Sequence, residues 1–168
     1  NRGLIGHDAY GDAFLQMRGV HNPDQRTSFT KRIVDYSNDV LPVTGAAEAL
    51  TALKARGLRL GIITDTMYPL EWKMRRLEKA GVAAFIDIVA CSTELGVHKP
   101  DPEVYSYALR QANLNPGEAI FVGHLGIELD GAHKAGMVTA AIDNDPDANA
   151  DYFCQSLLDL PEIPILNN

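Results

Sequence analysis

Between residues 58 and 142, apolar runs of strand length alternate with helix-length segments, which confines the chain to a parallel sheet covered on both faces. Leu58 to Thr64 predicts a buried strand, and Pro69 to Ala80 a helix with proline at its start and Gly81 past its end. Phe85 to Ala90 predicts a second strand and Pro102 to Ala112 a second helix. Ala119 to Val122 predicts a third strand, Glu128 to Ala135 a helix closed by Gly136, and Met137 to Ile142 a fourth strand. The order βαβαβαβ is that of a doubly wound α/β sheet, in which ligands bind outside the carboxyl ends of the strands.

The first forty residues lack this pattern and are expected to be helical. Phe14, Met17 and Val20 are spaced for a short apolar face. A second helix is expected from about Arg26 to Val40, with Phe29, Ile33, Val34 and Tyr36 near one face. Pro42 to Gly45 breaks the chain, and Thr44 is positioned to cap a helix carrying Ala47, Leu50 and Leu53 that stops at Gly57. The tail, about Tyr152 to Ile165, is expected to pack on the sheet edge.

The candidate chemistry lies at the strand exits. Thr64 ends an apolar run, so its hydroxyl and the amides after it are placed to hold a phosphoryl oxygen; a threonine there also suits an ordinary turn. Asp65 is a turn residue or a substrate contact. Lys99 is held in Val97-His98-Lys99-Pro100-Asp101-Pro102, where two prolines stiffen the backbone and launch a helix. A cation on so rigid a turn can meet an anion with little reordering. The next exit is Phe121-Val122-Gly123-His124, followed by Glu128-Leu129-Asp130-Gly131.

In order and spacing, the Thr-ended strand, the Lys-Pro-Asp-Pro turn and the Gly123 to Gly136 segment resemble the second, third and fourth motifs of the haloacid dehalogenase superfamily. The resemblance implies a Rossmann-like core, here residues 42–168, and a helical cap of which residues 1–41 would be a part. It also implies a covalent aspartyl intermediate, a second aspartate as acid/base, and phosphoryl binding by the catalytic residues Thr64 and Lys99, with Asp65 counted among the candidate substrate-binding residues. Mg²⁺ would be held by acidic residues that include Glu128. The family's first motif, a central strand ending in Asp-x-Asp, is not found. Without that strand two neighbours would expose backbone groups in the core at about 1–3 kcal/mol each, in a domain stable by only ~5–15 kcal/mol. A separate segment, either an upstream peptide or a partner chain, is therefore expected to complete the sheet. Asp143-Asn144-Asp145 has the local shape of the missing motif but follows the fourth motif, so it would serve only in a permuted chain.

His124 stands where the family carries a metal-binding aspartate, and Mg²⁺ prefers oxygen to imidazole. Three alternatives stay open: Mg²⁺ at Glu128, a degenerate site, or a transition metal at His124. His98 touches a substrate anion or is solvated; His7, His21 and His133 are given no role. Met67, Tyr68 and Trp72 either line a pocket or belong to the core.

The expected activity is Mg²⁺-dependent hydrolysis of a small phosphorylated metabolite. The alternative is a non-catalytic subunit that binds a phosphorylated ligand or a protein. Hydrolytic dehalogenation shares the nucleophile, and nothing in the sequence favours it. A formal charge of −7 disfavours nucleic acid. No apolar run approaches the ~20 residues of a membrane span. Cys91 and Cys154 lack metal-ligand spacing and are expected to be buried thiols of a cytoplasmic protein.

Overall fold

The computed structural model describes residues 7–37 and 39–167; the first six residues of the expected cap, Asn38 and Asn168 lie outside the described residues. Two helices come first, α1 (His7–Met17) and α2 (Pro23–Ser37). α2 begins earlier than expected because Asn22 caps it, its side-chain oxygen accepting from the Asp24 and Gln25 amides at 2.9 and 3.1 Å, with proline in the first turn. Its apolar positions are not core: Phe29 and Ile33 are exposed, and Tyr36 is 84% exposed. The Arg26–Asp12 ion pair links α2 to α1, and Leu15 of α1 is buried.

The next helix, α3 (Ala46–Ala55), corrects the capping expectation: Gly45, not Thr44, occupies the cap position, and no side chain caps the helix. Gly45 has φ +77°, and a Cβ there would lie 2.8 Å from Leu158 Cγ, so the turn requires glycine on two counts.

From here the alternation runs β1 (Gly61–Thr64), α4 (Leu70–Lys79), β2 (Ile88–Cys91), α5 (Ser92–Leu95), α6 (Pro102–Ala112), β3 (Ile120–Gly123), α7 (Gly126–Lys134), β4 (Val138–Ile142) and β5 (Tyr152–Cys154). Strands β1 and β2 start later than their apolar runs because Asp87 takes over the ladder at their entry. Its carboxylate accepts from the Leu60 amide at 2.7 Å and from Lys54 at 2.8 Å, while its own amide donates to the Leu60 carbonyl. The tail reaches the sheet edge by forming β5, a strand too short to stand out in the sequence; Leu157–Glu162 then turns back as a 3₁₀ segment against α3.

All strand pairs are parallel. β1 pairs β2 with Gly61 opposite Ile88 and Thr64 opposite Cys91, β3 pairs β4, and β4 pairs β5. Among the described residues these form two sheets, β1–β2 and β3–β4–β5, so β1 and β3 are each paired along one edge only. One apolar core nevertheless joins both pieces, with Ala90 of β2, Val104, Tyr105 and Leu109 of α6, Phe121 of β3 and Leu129 of α7 in a single cluster. α6 packs on β1, β2 and α7, and so crosses between the two sheets on one face. On the other face Leu53, Ala140, Cys154, Leu160 and Ile163 form a second core under α3. Both cysteines are buried free thiols. Val122, one residue from the buried Phe121, is 40% exposed, which is unusual for a parallel strand and matches the unpaired edge of β3.

Candidate active site

Thr64 closes β1 and is buried, and Asp65 emerges into solvent. The loop beyond them is tied down: the Thr66 amide donates to Oγ of the fully buried Ser92 at 3.1 Å, and the Tyr68 amide to Thr66 Oγ1 at 3.0 Å. The carboxyl ends of β1 and β2 are thus stitched together beside Thr64.

The Lys99 turn closes over this end. Its backbone amide donates to Asp65 Oδ1 at 3.3 Å, and the Asp101 side chain caps α6 by accepting from the Glu103 amide. His98 is not simply solvated, because its Nδ1 meets the Lys99 carbonyl at 2.6 Å. The Lys99 ammonium reaches inward to the Ile63 carbonyl at 3.3 Å and to Glu128 Oε2 at 3.2 Å. Both charged side chains are 12% exposed, so the pair is shielded from solvent and geometrically fixed.

α7 begins two residues before the predicted Glu128, which places Glu128 in the first turn, where a carboxylate suits the positive end of the helix. Asp145 is occupied locally: its carboxylate accepts from the Gly126 amide at 3.1 Å and its amide donates to the His124 carbonyl at 2.9 Å, which pins the start of α7. Asp143 turns the chain there with φ +45°. His124 is exposed, as is Asp130. Among the described residues no three His, Cys, Asp or Glu side chains gather as metal ligands. Glu128 is a hard oxygen donor of the kind Mg²⁺ takes, but it is a single carboxylate and is shared with Lys99.

Three further residues of the site were given no role by the sequence. Tyr105, fully buried, donates to the Glu128 carbonyl at 2.8 Å and packs edge-on against Phe121. Burial, together with the charges of Glu128 and Asp65, pushes its phenol well above the usual range. Gly131 lets α7 approach the Lys99–Pro100 turn: a Cβ there would stand 2.8 Å from Pro100 Cβ and from the Tyr105 oxygen. Ser92 fixes Thr66. All three act through neighbours that the sequence does not place beside them. Of the three residues left open between pocket and core, Met67 is exposed, while Tyr68 and Trp72 stack at 5.2 Å beside the loop.

A parallel α/β fold with a fixed lysine, a buried threonine and a carboxylate at the strand exits defines an open-sheet α/β protein, the class in which ligands bind at that edge. Residues 7–142 match the haloacid dehalogenase-like hydrolase family, and the chain belongs to it. It is 32% identical over 165 residues to a glyceraldehyde 3-phosphate phosphatase of Methanocaldococcus jannaschii, covering 92% of this chain and 70% of the relative. It is 27% identical over 132 residues to the pyrophosphatase PpaX of Listeria monocytogenes, covering 78% of this chain and 60% of that protein. Further glyceraldehyde 3-phosphate phosphatases that it matches are spanned over only 40 to 54% of their length. Among solved structures, a dehalogenase superposes with a TM-score of 0.73 at 26% identity, over 94% of this chain and 70% of that one.

Proposed function

We propose that this chain is the larger part of a phosphatase acting on small phosphorylated metabolites. The observation that carries the reading is the shielded Lys99–Glu128 pair beside Thr64 at the strand exits, a preorganised cation where a phosphoryl group would sit. Similarity to the phosphatases named above supports it. In this reading the Thr64 hydroxyl and the amides after it hold one phosphoryl oxygen. Lys99 neutralises charge on another, and Glu128 keeps Lys99 aimed. The phosphorus–oxygen bond to the substrate breaks as an aspartate carboxylate takes the phosphoryl group and the alcohol leaves with a proton from a second aspartate of the same segment; water, giving a proton back to that second aspartate, then releases orthophosphate from the first.

The aspartate would come from a segment lying between β1 and β3, whose facing edges are unpaired among the described residues. An upstream stretch or a second peptide fits this need equally. Glu128 would contribute to holding Mg²⁺, which supplies charge neutralisation of the phosphoryl group; the remaining ligands would come from that same segment and from water. Helices α1 and α2, with their exposed apolar side chains, would cover the site as part of a cap.

The test is turnover of a panel of phosphate esters by the full-length protein, with and without Mg²⁺, for wild type and Lys99→Met. Metal-dependent release of orthophosphate that Lys99→Met abolishes is the expected result. Binding of orthophosphate without turnover of any ester would replace this reading with that of a non-catalytic ligand-binding subunit.

A further inference from the structure

Helix α4 brings cations to the same edge that the Lys99–Glu128 pair does not account for. Lys73 and Arg76 are one helical turn apart, so they share a face, and helical side chains lean back toward the amino terminus of their helix. That end of α4 abuts the loop of residues 65–69, which follows Thr64 and is tied to Ser92. Arg76 is anchored there: its guanidinium lies over the Tyr68 ring, 5.2 Å from the centroid, with Tyr68 stacked on Trp72. The Arg76 Nε is buried and has no hydrogen-bond acceptor among the described residues. Lys73 is half-buried and makes no ion pair among the described residues.

Burial of Lys73, and then repulsion from Arg76 and Lys99, pull its ammonium below the usual lysine range. Lys73 is thus near enough to Arg76 and Lys99 to feel both charges, and among the described residues Lys99 alone of the three is answered by a carboxylate. Clustered half-buried cations with an orphan donor are costly in the free protein, and an arriving anion relieves that cost.

We propose that Lys73 and Arg76, beside Lys99, form a second anion pocket, so that preferred substrates carry another anionic group in addition to the phosphoryl group transferred. This deepens the phosphatase reading and rests on it. The second group can be a phosphoryl or a carboxylate, since ammonium and guanidinium accept either.

Steady-state kinetics with the full-length protein on pyrophosphate, phosphoglycolate and ethyl phosphate test the pocket. In Lys73→Met the ratio of kcat/KM for each doubly anionic substrate to that for ethyl phosphate falls by about tenfold, carried by KM. Lys73→Arg restores the ratio. A fall confined to pyrophosphate or to phosphoglycolate identifies which anion the pocket takes. An unchanged ratio in Lys73→Met and in Arg76→Gln overturns the proposal. If wild type turns over no ester, the phosphatase reading fails separately, and calorimetry decides the pocket. Pyrophosphate binding about tenfold tighter than orthophosphate, with the preference lost in Lys73→Met, supports it; equal affinities overturn it.

Discussion

The Tyr105 hydroxyl donates to the Glu128 carbonyl from beneath, so α6 and the first turn of α7 are joined at the residue whose carboxylate holds Lys99. Tyr105→Phe keeps the edge-on contact with Phe121 and removes only this bond. Urea denaturation is expected to show a loss of about 1 kcal/mol, the usual worth of one buried hydrogen bond. A loss nearer about 3–5 kcal/mol, the range for deleting an aromatic side chain, would mean that the ring itself had moved.

Lys99→Met leaves the Glu128 carboxylate shielded and without its cation. Breaking a buried pair in this way costs about 3–5 kcal/mol, and the 12% exposure of each partner places the expected value toward the lower end. Adding Glu128→Gln is expected to restore much of the stability, because no unpaired charge then remains, but none of the turnover. A thermal-melt series over the two single variants and the double variant measures the coupling directly.

Gly131→Ala tests the approach of α7 to the Lys99–Pro100 turn. The added methyl meets Pro100 and Tyr105 at 2.8 Å, so α7 or the turn must shift, at about 1–3 kcal/mol for overpacking. Since Lys99 and Glu128 lie on the two elements forced apart, turnover of a phosphate ester should fall more than the melting temperature suggests. Equal behaviour of Gly131→Ala and wild type in both assays would mean that the turn yields freely.

Thr139 and Asp151 supply a pH dependence. The Asp151 carboxylate accepts from the Thr139 amide at 2.8 Å and from its hydroxyl at 2.9 Å, and these bonds hold the carboxyl below the usual carboxylate range. A depressed folded-state pKa means that the contribution is fully present above the ordinary Asp value and is lost as pH falls through the depressed one. Wild type should therefore lose stability in acid more steeply than Asp151→Asn, read as the melting temperature from pH 6 down to pH ~2. Asp151 is exposed and solvent screens it, so the difference is small.

The parts that sequence disclosed are those set by local chemistry. Prolines and a capping aspartate fixed α6 at its predicted ends, Pro102 and Ala112, and apolar runs located β1 to β4 within a few residues. Asp87 shortened two strands through a contact across the sheet, which no run of neighbouring residues reveals. The spacing of Phe29, Ile33 and Tyr36 placed them near one face, but periodicity reports only a face, not what covers it, and all three are exposed. At the site, Thr64, Lys99 and Glu128 stood out by motif, whereas Tyr105, Ser92 and Gly131 act only through tertiary neighbours.

The two sheets meet without a ladder between β1 and β3 among the described residues, so α6 acts as a hinge pin across a seam. Side-chain contacts, among them the Lys99–Glu128 pair and the Tyr105–Glu128 hydrogen bond, carry force from one half to the other in place of a ladder, and backbone protection should divide along the same line. Amide exchange in β1–β2 and in β3–β4–β5 would then proceed as two separate openings. A strand seated in the seam would merge them, slowing exchange most at the edges of β1 and β3 that now lack partners.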